Sequence, residues 1–309
     1  MSGHDSHHLA LVGPTATGKS ALALAAAAEL GDTEIVSVDS MQVYRGMDIG
    51  TAKPTPAEQA AVPHHLIDLA DPDEGFDLTR FQEAAAAAIA GIEARGHRAL
   101  LVGGTGLYYQ AVVDGLTPPG RDAALADELD ARAEEGLADL YAELERLDPV
   151  AAGRIEPANR RRVVRALEVT LATGRPFSSY GPGMFAPARG LRVRGAGVWL
   201  PRPVTSARIA ERVAAMERQG LVDEVRRLAA APGGLSRTAR QAIGYQEVFE
   251  HLEGRTTLEA ALARAADRTR ALARRQRMWF RRDIRITWLG TADNPLAVLP
   301  ALLATWTAS

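Results

Sequence analysis

Gly13-Pro14-Thr15-Ala16-Thr17-Gly18-Lys19-Ser20 fits the pattern G-x-x-x-x-G-K-[ST] and directly follows the apolar run Leu9-Ala10-Leu11-Val12. With the alanine-rich stretch Ser20–Leu30, closed by Gly31, the order reads strand, glycine loop, helix. In such a loop successive backbone N–H groups converge on phosphate oxygens at a helix N-terminus, Lys19 adds a point charge, and the Ser20 hydroxyl can ligate Mg²⁺. Glycine-rich turns also occur without ligands, but the full eight-residue match in this context favours a site for a di- or triphosphate. The motif does not say which one.

Lysine usage narrows the reading. The 36 basic residues comprise 34 Arg and only Lys19 and Lys53. A compact ammonium fits inside a backbone cradle where a planar guanidinium does not, which is a physical reason to keep Lys19. The same logic marks Lys53, in Gly50-Thr51-Ala52-Lys53-Pro54, as a second site residue.

With 309 residues and 47% hydrophobic content the chain can bury a sizeable core. The longest apolar runs, 21–28 and 84–90, fall far below the ~20 residues of a membrane span, and no signal peptide opens the chain, so a cytoplasmic protein is expected. Zero Cys excludes disulfides, thiolate zinc sites and cysteine nucleophiles. A metal must then be held by oxygen or nitrogen, with Mg²⁺ the natural candidate. The net charge of −2 hides acidic stretches early and a basic C-terminal helix, so a nucleic-acid partner is not excluded.

Along the chain, residues 1–8, with His4, His7 and His8, read as a frayed terminus. Glu34–Asp39 is a β-branched run, and ligands gather at the carboxyl ends of strands in open parallel sheets. Asp39 at such an end can serve as metal ligand, general base or helix cap. Residues 40–63 form a long loop with short helical turns, 77–95 a helix capped by Asp77, and 97–102 a further strand. Gly103-Gly104-Thr105-Gly106 then opens a second glycine turn, which puts Thr105 on the sheet edge that carries the first loop and Asp39.

Thr117-Pro118-Pro119-Gly120 marks a boundary beyond which strand signals vanish until 191–200. The expected architecture is therefore an α/β core like that of the P-loop NTPases, a parallel sheet flanked by helices formed by residues 1–118 and 191–309, with a helical insertion over 119–190. Arg160, Arg161, Arg162 and Arg165 make a positive patch suited to phosphates or to a solvated helix face. One long amphipathic helix is expected over 204–230, with Arg208 and Arg212 a turn apart, either clamping an anion or pairing along the helix. Between Arg264 and Arg285 nine Arg face only Asp267 and Asp283, with Trp279 and Phe280 interleaved, which implies a polyanion larger than a nucleotide.

Gly13–Ser20, Asp39-Ser40-Met41-Gln42-Val43-Tyr44, Gly46–Pro54, Gly103–Tyr108, Arg165-Ala166-Leu167-Glu168-Val169, Gly244-Tyr245-Gln246-Glu247 and Arg275–Phe280 together resemble the tRNA dimethylallyltransferases, from the loop to about Trp288. The resemblance implies transfer of a dimethylallyl group from dimethylallyl diphosphate to the N6 amine of the adenosine 3′-adjacent to a tRNA anticodon, by a cytoplasmic monomer.

It implies that Gly13, Pro14, Thr15, Ala16, Thr17, Gly18, Lys19 and Ser20 hold the diphosphate, a loop type that elsewhere binds ATP, with Mg²⁺ on Ser20. Lys19 and Arg212 would neutralise the developing charge and Asp39 accept the amine proton. Asp39, Ser40, Met41, Gln42, Thr105, Arg161, Arg162, Val163, Val164, Arg165, Gln241, Ala242, Ile243, Gly244 and Tyr245 would face the anticodon stem-loop, with the insertion gripping it. Thr17 replaces the Ser of many relatives, and the family's tRNA contact near Asp127 does not align. The competing classes, a small-molecule P-loop kinase and a nucleic-acid-dependent ATPase, leave unexplained the nine arginines and the missing second acidic motif respectively.

Overall fold

The computed structural model describes residues 8–116, 119–180 and 191–307. The start of the chain, Thr117-Pro118 and residues 181–190 of the proline- and glycine-rich exit lie outside the described residues. The chain divides into two compact units, residues 1–115 with 189–309, and residues 116–188.

In chain order the first unit runs β1 (His8–Val12), α1 (Lys19–Leu30), β2 (Thr33–Val38), α2 (Pro56–Ala61), β3 (His64–His65), α3 (Leu78–Ala94), β4 (Arg98–Gly103) and α4 (Gly106–Val113). The second supplies α5 (Ala123–Leu147), α6 (Pro149–Ala152) and α7 (Arg160–Thr173). The first resumes with β5 (Val193–Trp199), α8 (Arg202–Arg218), α9 (Leu221–Ala230), α10 (Arg237–Arg240), α11 (Tyr245–Leu252), α12 (Leu258–Phe280), β6 (Ile286–Gly290) and α13 (Leu299–Thr307).

All six strands pair in parallel, in the order β3-β2-β4-β1-β5-β6. Parallel sheets are covered on both faces, and β1 and β2 are accordingly buried along their whole length. Alternation divides β1 between two cores: Ala10 and Val12 join Phe81, Ile92 and Tyr109 on one face, Leu9 and Leu11 join Leu22, Leu100 and Trp306 on the other. Because every strand points the same way, the loops after β1, β2, β4 and β5 all leave from one edge.

Local signals set the helix ends. Gly31, at φ 74°, closes α1 by donating its N–H to Ala27 O. Asp77 accepts the Arg80 N–H and starts α3. Two expectations are corrected. His8 is no frayed residue but the first of β1, its ring bonded by Ala99 N–H (3.1 Å) and to Glu93 (3.0 Å). The long helix expected over 204–230 is two, α8 and α9, broken where Gly220 takes φ 100°. The two-residue strand β3 was not anticipated.

In the second unit α5, interrupted at Gly136, packs on α7 around Leu129, Leu140, Leu144, Val163, Val164 and Leu167. Asp148 caps α6 through Ala151 N–H and also accepts the N–H and hydroxyl of Ser178, each at 2.7 Å, tying the segment after α7 to the start of α6.

Candidate functional site

The loop after β1 is wound for anion binding. Gly13 (φ 136°), Ala16 (φ 63°) and Gly18 (φ 81°) all take positive φ, the left-handed turns on which a backbone anion nest is built. Gly18 also has no room for a side chain, since a Cβ there would lie 2.2 Å from Pro295. Thr17 Oγ1 donates to Pro14 O at 2.9 Å, and Lys19 Nζ to the same oxygen at 2.5 Å. Two helices fix the crown of the loop: Arg208 of α8 donates Nε–H to Ala16 O (3.0 Å), and Gln276 of α12 accepts the Thr15 N–H on Oε1 (2.8 Å). Arg208 therefore grips the loop backbone instead of pairing along its own helix.

Lys19, Arg212 and Asp39 form one electrostatic cluster. Burial first, then the Arg212 charge, pushes the Lys19 ammonium down to about 7, against the opposing pull of Asp39. Burial likewise lowers Arg212, again opposed by Asp39. A buried ammonium, a half-buried guanidinium and one carboxylate leave net positive charge to be matched by an anion. Ser20, in the first turn of α1, is exposed.

Asp39 follows β2 and is held by its neighbours. Its Oδ1 accepts the Met41 N–H at 2.8 Å. On the second glycine turn, Thr105 N–H donates to Val38 O (3.1 Å) and Thr105 Oγ1 accepts the Ser40 N–H (3.1 Å), so residue 105 brackets Asp39 from both sides. Such a close approach needs glycine before it, because a Cβ on Gly103 would fall 2.3 Å from Val38 O. Gln42 Oε1 accepts the Ser37 hydroxyl (2.8 Å) and its Nε2 donates to Thr51 O and Ala52 O.

Lys53 is corrected from site residue to loop staple. Its ammonium donates to Tyr44 O (2.8 Å), Asp48 Oδ1 (2.6 Å) and Asp68 Oδ1 (2.6 Å), which uses all three protons. Tyr245 is buried, with its ring against Gly50 and its hydroxyl on Glu224, and Ala242 is buried as well. Neither presents a side chain to a ligand, whereas Gln241 is exposed and Ile243 half-buried. In the second unit Val163 and Val164 are core residues, corrected in the same way. Arg160 is engaged by Asp130 (3.1 Å) and Glu134 (3.2 Å), and Arg165 by Glu168 and Pro119 O, each at 2.7 Å. Arg161 and Arg162 are exposed, with no acidic partner among the described residues.

The arginine-rich segment from Arg264 to Arg285 splits by role. Arg264 pairs with Glu250, Arg268 with Glu247, Arg270 with Asp267, and Arg285 with Asp114 and Asp283. Arg274, Arg275, Arg281 and Arg282 are exposed, with no acidic partner among the described residues. The Arg277 guanidinium stands 5.5 Å over the Trp199 ring. Arg274, Arg277 and Arg281 line a cleft of about 470 Å³ together with Trp199, Arg202 and Met278, and Pro14 and Thr17 of the glycine loop form part of its wall. The basic segment thus reaches the loop, while four of its nine arginines serve the fold.

Sequence reasoning assigned no role to Gln276 or Glu224. Each acts on backbone N–H groups of a distant loop, a partnership that leaves no spacing to read.

A family model described as IPP transferase matches residues 42–283, and one described as isopentenyl transferase matches residues 7–75. A tRNA dimethylallyltransferase of Moorella thermoacetica is 47% identical over 96% of this chain and 93% of its own length; one of Roseiflexus sp. is 51% identical over 89% and 90%. Among solved structures, the tRNA isopentenylpyrophosphate transferase of Bacillus halodurans superimposes with TM-score 0.69 at 38% identity, covering 97% of this chain and 96% of that one. A eukaryotic dimethylallyltransferase described as acting on tRNA gives TM-score 0.77 at 27% identity over 93% of this chain and 75% of its own. With the loop geometry, the parallel sheet and these likenesses running nearly end to end, this chain belongs to the IPP transferases, the family of the tRNA dimethylallyltransferases.

Proposed function

We propose that this chain transfers a dimethylallyl group from dimethylallyl diphosphate to the N6 amine of the adenosine 3′-adjacent to the anticodon of tRNA. The observation that carries the proposal is the cluster of buried Lys19 and half-buried Arg212 with Asp39 at the sheet edge that holds the glycine loop. In the transfer the allylic C–O bond breaks, the diphosphate leaves with the bonding pair, and N6 forms the new C–N bond. The negative charge that develops on the leaving oxygens is met by Lys19, Arg212 and the loop N–H groups, whose fixed orientation avoids reorganisation at the moment of reaction. The N6 proton passes to the Asp39 carboxylate, the base that Thr105 and Met41 hold in place.

Mg²⁺ suits the hydroxyl oxygen that Ser20 offers, exposed in the first turn of α1, with phosphate and water as its other ligands. When bound it would supply further neutralisation of the diphosphate.

The adenine must leave its stack to reach Asp39, as for other enzymes that modify bases. Arg161 and Arg162 on the insertion, the exposed part of 241–245, and the free arginines of α12 are the proposed contacts to the anticodon stem-loop, with Ser40, Met41 and Gln42 beside the base. A cytoplasmic monomer is part of the proposal, and sedimentation at working concentration reads the monomer. The test is transfer of radiolabelled dimethylallyl from its diphosphate to an anticodon stem-loop RNA, with ATP as competitor. No label on the RNA, or displacement of the donor by ATP at equal concentration, sinks the proposal.

A further inference from the structure

Glu224 of α9 is 1% exposed, and its carboxylate is paired with no Lys or Arg among the described residues. An isolated buried carboxylate is costly, so its charge must be met by donors. Oε2 accepts the N–H groups of Asp48 (3.1 Å) and Ile49 (2.9 Å); Oε1 accepts the Gly50 N–H (3.2 Å) and the Tyr245 hydroxyl (2.5 Å). Three consecutive peptide N–H groups thus form a nest around an internal anion. Burial, then the Glu224 charge, pushes the Tyr245 hydroxyl well above its ordinary range and keeps it a donor. Gly50 is required where it stands, since a Cβ would lie 2.3 Å from the Tyr245 ring.

The far side of the same loop is tied to the reaction centre. Lys53 closes on Asp48, Gln42 Nε2 holds Thr51 O and Ala52 O, and Gln42 Oε1 takes the hydroxyl of Ser37, two residues before Asp39. A continuous chain of bonds therefore runs from Tyr245 and Glu224 through residues 48–52 to Gln42 and the end of β2. The glycine loop hangs from β1, with its own braces, Arg208 and Gln276.

We infer that Glu224 is a positioning residue for the transfer: it fixes the 40–53 loop, and through Gln42 the acceptor side of the site, independently of the diphosphate side. The inference rests on the proposed function. Displacing an acceptor group by about 1 Å can cost on the order of 10²-fold in rate, so a split between turnover and donor binding is expected.

The test uses Glu224→Gln and Tyr245→Phe in the full chain. Measured are kcat for the stem-loop RNA at saturating donor, the Kd of inorganic pyrophosphate, and amide exchange at Asp48, Ile49 and Gly50. Glu224→Gln puts an NH₂ where an N–H must be accepted, and kcat should fall roughly 10- to 100-fold. Tyr245→Phe keeps the ring and removes one bond worth about 1 kcal/mol, so kcat should fall roughly fivefold. In both, exchange at the three amides should quicken and pyrophosphate Kd should stay within about twofold.

An unchanged kcat with quickened exchange overturns the inference, as does a pyrophosphate affinity that falls in step with kcat. Should Glu224→Gln fail to fold, Tyr245→Phe decides alone by the same readings. A wild-type chain that transfers nothing defeats the proposed function and this inference with it, whereas an active wild type with unaltered variants defeats the inference alone.

Discussion

Lys19 and Arg212 share a burden that neither carries well alone, because each is disfavoured as a cation by burial and Lys19 further by its neighbour. A bound diphosphate would relieve both. Lys19→Ala and Arg212→Ala should each weaken pyrophosphate binding by at least tenfold, the scale of a lost charge-assisted hydrogen bond of roughly 1.5–3 kcal/mol. RNA affinity measured without donor should stay near wild type; a parallel loss would move Arg212 to the RNA surface. Asp39→Asn keeps the shape and removes the basicity, so turnover should drop ~10²–10⁴-fold with RNA binding little changed. Unaltered turnover would end the base assignment. At this scale the sequence was legible where chemistry is local, as in the eight-residue loop and the cap at Asp77. It was misleading at Lys53, where rarity marked a residue that matters, but for a carbonyl and two carboxylates of its own loop.

At the scale of the element, α12 combines two jobs that charge counting could not separate. Whether an arginine is free depends on what α11 offers across the helix pair: Glu247 and Glu250 take Arg268 and Arg264, while Arg274 and its neighbours lie beyond reach of any acid among the described residues. Arg274→Ala should therefore flatten the dependence of log K on log salt for RNA by roughly 0.7–0.9 and leave the melting temperature alone. Arg268→Ala should do the reverse, lowering the melting temperature because Glu247 is left buried without its cation. Salt titration and thermal melts on the two variants check this, and the opposite assignment of effects would refute it. The break between α8 and α9 falls at Gly220, a glycine stop that the expectation of one helix over 204–230 passed over, and its φ of 100° makes the turn. The strand β3 is too short for any periodicity to show.

At the scale of the whole molecule, a polar knot lies at the sheet edge opposite the glycine loop. Glu34, buried at the start of β2, accepts both Arg95 N–H groups (2.9 and 2.7 Å), His65 Nε2 (2.7 Å) and His97 Nδ1 (2.8 Å). The Arg95 hydrogen bonds above all, with those from the two histidines, hold its carboxyl down at about 2. A carboxyl with a folded value below its unfolded one adds stability that is complete above the unfolded value of 4.5 and fades as pH falls toward about 2. Glu34→Gln should therefore be less stable than wild type at neutral pH, and the gap between their denaturant midpoints should close steadily from pH 4.5 to 3. A gap that does not change with pH would show that the carboxyl is not held down by its partners. The parallel α/β class was readable from alternating strand and helix signals, but this knot was not, since it joins residues 34, 65, 95 and 97 through two strands and the loop between α3 and β4.

The order β3-β2-β4-β1-β5-β6 also has a consequence in time. The first strand made is a central one, and its two neighbours are Arg98–Gly103 and Val193–Trp199. At ribosomal speeds of about 5–20 residues per second, one flank of β1 waits on the order of ten to forty seconds for its partner. During that interval a buried apolar ribbon with unpaired peptide groups is presented to the cell. Ribosome-bound chains arrested before residue 193 emerges should be cut by protease within β1 and captured by chaperones, and those arrested after residue 199 has cleared the tunnel should resist both; equal sensitivity of the two would mean that β1 finds shelter before β5 arrives.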